Sequence, residues 1–420
     1  MSIHVTPNGQ YRAKWRDPSG RQRSKNFATK REARDFLATV RTSASNGTYV
    51  DPQAGRLRFA EHAEAWLSST TSESTTRARD ASVMRTHVIP QWGDWQIGKI
   101  DHLSVQSWVS ELGRRRSPAT VAEALRLTSG VLRSAVRNRL IPFNPCEDVA
   151  LPRRRKHDHD DRVITRDQLS GLLLPAVPAR YRMFVATTAW TGLRWGEAVG
   201  LQSDALDLAG GTLRVIRTVV EVSGNTDYKP YPKTGAGRRT VPLPRWLVPQ
   251  LRDHVARYGL GERGLVFANA VGKPLRRTLF RSRIWRPSLV RAGLLGSVEH
   301  TGSHEFTGRW IDDEGRANAL VRETYAAAVK AVASVAGTGL RFHDLRHSYA
   351  TWLVDDGVPP NMVQRVMGHE SVTTTLQLYT RRTENHDRIL DALGGSMLDA
   401  DGPDDDDPDD GPAGAMAVLR

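Results

Sequence analysis

The sequence predicts a multidomain α+β protein. A small β-hairpin-helix domain is expected at residues 1–50, a four-helix domain at 58–150, and a mainly helical domain with a small antiparallel sheet at 162–393. Three observations predict this. The 420 residues are too many for one ordinary domain. Hydrophobic periodicity switches between alternation and helical spacing at definite points along the chain. Two stretches, 51–57 and the Pro-led PRRRKHDHDD at 152–161, interrupt both patterns and read as linkers.

Composition narrows the function classes. A hydrophobic content of 39% suffices for real cores and excludes global disorder. A net charge of +14 with a pI near 10.2 favours a polyanionic partner. The single cysteine, Cys146, rules out an intramolecular disulfide and cysteine-based metal clusters. No apolar run approaches the ~18 residues of a membrane span, and the N-terminus lacks a signal-peptide core. The expected location is therefore cytoplasmic, with no membrane partner.

Taking the elements in order, YRAKWRDPSGRQRSKNF alternates around an Asp-Pro-Ser-Gly turn, which predicts a hairpin. Thr29 then caps a short helix carrying Ala33, Phe36, Leu37 and Val40. Arg12, Lys14, Arg16, Arg21, Arg23 and Lys25 load the hairpin with cations suited to a groove of duplex DNA. From Arg58 onward, FAEHAEAWL, the stretch around RDASVMRTHV, HLSVQSWVSEL and PATVAEALRLTSGVLRSAVRNRL show helical spacing, with a loop at IPQWGDWQIGKI. Arg114, Arg115 and Arg116 contribute to a basic side. His157, Asp158, His159, Asp160 and Asp161 are consecutive and so do not converge on an ion; no metal site is expected there.

In the third domain, helices are expected at 165–173, 179–190, 194–201, 244–257, 276–292 and 343–355, and then through to residue 392. DALDLAGGTLRVIRTVVEV reads as a hairpin turned at Ala209-Gly210-Gly211, and RRTVPL as a third strand. Residues 394–420 read as a disordered acidic tail. One echo stands out. Trp15 to Arg21 and Trp310 to Arg316 share W-x-D-x-x-G-R, each followed by a Glu-bearing helix. Residues 297–338 are therefore read as a second, shortened hairpin-helix module, and its few cations suit contact with protein rather than DNA.

Residues 342–380 concentrate the chemistry. Leu345, Tyr349, Trp352 and Leu353 make an apolar helical stripe, and His343 and Arg346 project from another face. Gly368 ends the next helix, His369 follows at once, and Tyr379 closes a short segment that Ser371 caps. A cation, two imidazoles and a phenol suit an anionic substrate and a tyrosine nucleophile. Tyr349, on the apolar stripe, is read as core. Further upstream, Arg194 and Glu197 lie one turn apart at a helix start, and Lys233 sits on the turn of YPKTGAGRRTVPL.

This order resembles the tyrosine recombinase (phage integrase) family: an Arg, a Lys on a β-turn, H-x-x-R, G-H, and a Tyr ten residues after that His. TGLRWGEAVGL, HDLRHSYATWL and MGHESVTTTLQLYT carry the resemblance, which covers nearly the whole chain. It implies an AP2-like arm-binding domain at 1–50, a SAM-like core-binding domain at 58–150 and a catalytic domain at 162–393. It also implies roles. Arg194 and Arg346 would clamp the phosphate through planar bidentate donors, with a hydrogen bond from His369. Tyr379 would attack, aided by His343, and Lys233 would protonate the departing 5′ hydroxyl, with Glu197 orienting its neighbours. The product would be a 3′-phosphotyrosyl ester. Because one ester replaces another, neither cofactor, ATP nor metal is needed.

The expected function is integration and excision of a phage or mobile element at double-stranded DNA attachment sites. A homotetramer on DNA is implied, with an excisionase or DNA-bending protein as accessory. A resolving or inverting recombinase, a topoisomerase-like enzyme and a non-catalytic DNA-binding regulator are the alternatives.

Overall fold

The structure is a computed structural model that describes residues 1–17, 20–46, 49–51, 54–152, 162–230, 237–371, 373, 375 and 376. The linker at 153–161, Lys233, Tyr379 and the tail at 394–420 lie outside the described residues. The chain divides into two compact units. One comprises Met1–Arg162, Thr218–Lys229 and Ala268–Ile284; the other comprises Val163–Arg217, Pro230–Phe267 and Trp285–Arg420.

The first unit opens with a three-stranded antiparallel sheet, Ser2–Val5, Tyr11–Arg16 and Gln22–Phe27, in sequence order. The strand Ser2–Val5 was not expected, because four residues show too little alternation to register in the sequence. Thr29 caps the helix Lys30–Ser45 through a capping box with Glu32. Ala13, Trp15, Ala33, Leu37, Val40 and Tyr49 form a small core, and Trp15 Nε1 donates to the Tyr49 hydroxyl at 2.8 Å.

Helices Phe59–Ser69, Ser74–Val83, His102–Arg115 and Pro118–Arg137 follow, the second running on through Met84–Val88 to Trp92. They enclose a separate core around Phe59, Trp92, Ile97, Leu127 and Leu132. Cys146 is part of it, and burial pushes its thiol up to about 12, so it is no nucleophile at neutral pH.

The expected single hairpin over DALDLAGGTLRVIRTVVEV is instead two structures. Leu206–Asp207 pairs with Thr212–Val215, which pairs with Arg239–Pro242. Thr218–Val222 turns at Ser223 (φ 49°) and Gly224 (φ 81°) and pairs with Asn225–Lys229, in the first unit. A two-residue turn with both φ positive matches the twist of the strands it joins. Lys229 of this hairpin forms an ion pair with Glu73.

The second unit packs helices Ala179–Thr191, Leu247–Tyr258, Arg286–Arg291 and Asp344–Asp355 around aromatic side chains. Phe184 stacks on Phe342 at 5.1 Å, and Trp195 and Trp285 meet the same Phe342 ring edge-on. Residues 297–338 form a three-stranded antiparallel sheet, Ser297–Gly302, Glu305–Ile311 and Ala317–Arg322, then the helix Tyr325–Val335. No described helix is long and apolar enough to cross a membrane.

Candidate active site

Two left-handed glycines shape the site. Gly192 (φ 62°) ends Ala179–Thr191 and turns the chain into the short helix Trp195–Val199. A Cβ on Gly192 would lie 2.4 Å from Tyr349 Cδ1, so only glycine fits. Gly368 (φ 62°) ends the helix Pro360–Met367. The last carbonyls of a helix have no partner within it and carry its negative dipole end.

Here three consecutive carbonyls each receive one arginine. Val366 O accepts from Arg239 Nε at 2.7 Å, Met367 O from Arg346 at 2.5 Å, and Gly368 O from Arg194 at 3.0 Å. Arg346, buried in the first turn of Asp344–Asp355, also donates to Gly192 O at 2.5 Å. The two glycine turns therefore hold the guanidiniums as well as the backbone.

Among the described residues, Glu197 is the buried carboxylate bonded to these arginines. It accepts from Arg194 N at 2.9 Å, from the Arg194 guanidinium at 2.8 Å, and from both terminal nitrogens of Arg239 at 3.2 and 2.8 Å. Burial alone would raise its pKa, but the Arg239 hydrogen bonds and charge, with Arg194, outweigh burial and hold it at about 2. Three guanidiniums around one carboxylate leave a cationic site suited to an anion. Arg346 remains charged at neutral pH, although burial, then Arg194, lowers it to about 9.

Both histidines are neutral at pH 7. Burial, then Arg346 and Arg194, pushes His369 down to about 4, and its Nδ1 lies 2.9 Å from the Thr375 hydroxyl. His343, at the N-cap of Asp344–Asp355, is also pushed down to about 4, by burial and then by His347 and Arg346. Its surface is nonetheless solvent-exposed. The open face leaves the ring accessible, and His347, whose ring is 5.0 Å away, and Arg346 act in the same downward direction as burial. An uncharged imidazole can accept a proton.

The structure thus brings together Arg194, Glu197, Arg346 and His369: the arginines meet consecutive carbonyls that lead directly into His369, and Glu197 joins Arg194 to Arg239, with His343 one turn before Arg346. Lys233 and Tyr379 fall outside the described residues; Ser371 Oγ accepts from Thr373 N at 3.2 Å, as a cap does. Tyr349 is buried and its hydroxyl is pushed up to about 12, in keeping with a core role. Sequence reasoning missed Arg239 and Thr375. Arg239 was legible in principle: along Arg239–Pro242 it alternates inward with Val241.

The expected DNA-contacting cations differ in their surroundings. Arg12, Lys14 and Arg16 alternate on the sheet face opposite Ala13 and Trp15. Arg23 is held by Asp17 at 3.1 Å and Asp51 at 2.6 Å, and Lys25 lies over the Phe27 and Phe36 rings. Arg115 pairs with Glu111; Arg114 and Arg116 are exposed beside it, as is Arg21 in the first sheet's turn.

Comparison with known proteins places this chain in a family. The model of the phage integrase family matches residues 162–386. A putative prophage phiRv2 integrase of Mycobacterium tuberculosis is 27% identical over 393 residues, covering 92% of each chain. A XerC-like tyrosine recombinase of Caldanaerobacter subterraneus is 25% identical, over 87% of this chain and 90% of its own. Among solved structures, the Tn1549 transposon integrase in complex with circular intermediate DNA superposes with a TM-score of 0.58 at 17% identity, over 80% of this chain and 99% of that one. A lambda integrase dimer bound to a core site gives 0.51 at 14% identity, over 91% and 95%. At these identities the structural likeness speaks for the fold. The family match spans more than half of the chain and contains every residue of the arginine cluster, so the chain belongs to the phage integrase family as a tyrosine-type site-specific recombinase.

Proposed function

We propose that the protein integrates and excises a phage or other mobile element by cutting double-stranded DNA at attachment sites, with Tyr379 as nucleophile. One observation carries this reading: three arginines held on consecutive carbonyls beside two neutral imidazoles. A phosphodiester under attack gains charge on its equatorial oxygens. Arg194 and Arg346 can pair with those oxygens without moving, because their backbone acceptors have already fixed them. His369 adds a hydrogen bond. Neutral His343 takes up the Tyr379 proton, and Lys233 supplies one to the departing 5′ oxygen. Glu197 and Arg239 orient the clamp and do not react.

The bond energy is stored in the 3′-phosphotyrosyl ester, and attack by a partner strand's 5′ hydroxyl releases the tyrosine. Exchange between two duplexes takes four active sites, hence four copies on DNA, with an accessory DNA-bending protein or excisionase setting direction. Arg12, Lys14 and Arg16 meet phosphates from the N-terminal sheet, and the reaction takes place in the cytoplasm.

Tyr379→Phe tests the assignment. On a nicked suicide substrate the parent protein forms a covalent adduct, whereas the variant binds duplex equally well and forms none. An adduct in the variant would move the nucleophile elsewhere. Binding without trapping by the parent protein would favour a non-catalytic regulator.

A further inference from the structure

The sheet-helix segment at 297–338 follows the N-terminal module in one register through its three strands and into a shorter helix. Adding 295 to a residue number in the first gives its counterpart in the second: Asp17 and Asp312, Gly20 and Gly315, Thr29 and Thr324. The strand registers coincide under that shift. Tyr11 opposite Phe27 becomes Phe306 opposite Arg322, and Ile3 opposite Ala13 becomes Val298 opposite Gly308. The turns share their hydrogen bonds: Asp17 N donates to Arg21 O at 2.9 Å and Asp312 N to Arg316 O at 3.0 Å. In each turn the Asp carboxylate accepts from the Arg backbone N, at 2.9 and 2.8 Å, and the glycine has φ of 83° or 81°. Thr29 and Thr324 each cap the helix at 3.2 Å, and Ala33 and Ala328 are both fully buried.

What differs is the outer sheet face. Arg12, Lys14 and Arg16 correspond to Thr307, Arg309 and Ile311, and the Arg309 charge is met by Glu299 at 2.6 Å. Ser24 and Asn26 correspond to Ala319 and Val321. Ile311 and Val321 are 65% and 50% exposed. Residues 1–46 carry ten Lys and Arg against three Asp and Glu, while 297–338 carry four against six. A face without net cations releases no counterions from DNA, and the module's net negative charge gives phosphate no attraction to it. Ile311 lies opposite Ala317, and Ala319 and Val321 continue the same exposed face along that strand, so these side chains form one apolar stripe of the kind that contacts protein.

We propose that this outer face docks a second copy of the chain. The inference rests on the recombinase reading, in which several copies meet on DNA. Charge complementarity selects the occupant: the module bears −2 in a chain of +14, which leaves +16 on the remainder of any approaching copy. Docking there bears on the active site. The buried Arg286 donates to Ala333 O at 2.5 Å, Ala336 O at 2.6 Å and Gly337 O at 3.3 Å, at the C-terminal end of the module's helix. Trp285 Nε1 donates to Leu340 O at 2.7 Å, three residues before His343. The module's last turn and the His343 segment are therefore braced on one helix.

Two neutral variants test this without altering charge: Ile311→Ser with Val321→Ser, and separately Ala319→Gln. Each is compared with the parent protein for affinity on a single-site duplex, cooperative occupancy of a two-site duplex, and covalent trapping on a single half-site. Single-site affinity and trapping should stay within about twofold, while cooperativity falls by at least about tenfold. Unchanged cooperativity in both variants overturns the proposal, as does loss of single-site affinity, which would put DNA on this face. Absence of trapping by the parent protein would instead sink the recombinase reading, so the two failures are distinguishable.

Discussion

At the residue scale, the site depends on guanidinium shape as much as on charge. Arg239 spans a carbonyl and both oxygens of Glu197, a fork that a lysine ammonium cannot reproduce. Removing one partner of a buried pair leaves the other inadequately compensated, at a cost of about 3 kcal/mol. Arg239→Ala should therefore lose about that much stability in urea unfolding at pH 7. Arg239→Lys, keeping charge without the fork, should recover less than half of it. The gap should also depend on pH. Glu197 is held down at about 2 against an ordinary 4.5, so its contribution is complete above about 4.5 and is lost as pH falls towards about 2. The difference between parent and Arg239→Ala should narrow over that window. A gap independent of pH would mean that Arg239 acts by packing alone.

At the element scale, turns decide where the arginines stand. Gly192→Ala forces a side chain into φ 62° and against the Tyr349 ring, and it moves the carbonyl that holds Arg346. The expected result is a loss of at least about 2 kcal/mol together with reduced covalent trapping. Gly171→Ala, whose Cβ would meet nothing within 4 Å, should be neutral or slightly stabilising when the two variants are compared by thermal unfolding. These elements also show what was legible in the sequence. Gly192, Gly368 and the stripe through Leu345 and Trp352 could be read from local rules, because left-handed turns and helical periodicity depend on near neighbours. The break between Val215 and Thr218 could not, since each of the two strands pairs with a different partner and either pairing fits the pattern. Nor could the three acceptors for the arginines, because every residue offers a carbonyl and only tertiary packing selects Val366, Met367 and Gly368.

At the scale of the whole molecule, charge is divided between modules of one fold. The N-terminal sheet has a core distinct from that of the helices after it, so its outer face can be altered without disturbing the helical core. If Arg12, Lys14 and Arg16 each neutralise one phosphate, their joint replacement by glutamine should lower the slope of log affinity against log salt by about 3, near 0.9 per contact. The loss should appear on duplex that engages this module and should be largest at low salt, where counterion release favours binding most. Replacing Arg23 and Lys25 instead should change the slope much less. Arg23 is already paired with Asp17 and Asp51, and Lys25 lies over two aromatic rings. Arg23→Gln should act through stability, because it strips a partner from two carboxylates beside Trp15 and Tyr49. Equal salt slopes for the two sets of variants would show that DNA does not distinguish the faces of this sheet, and that the alternation along Tyr11–Arg16 does not direct its binding.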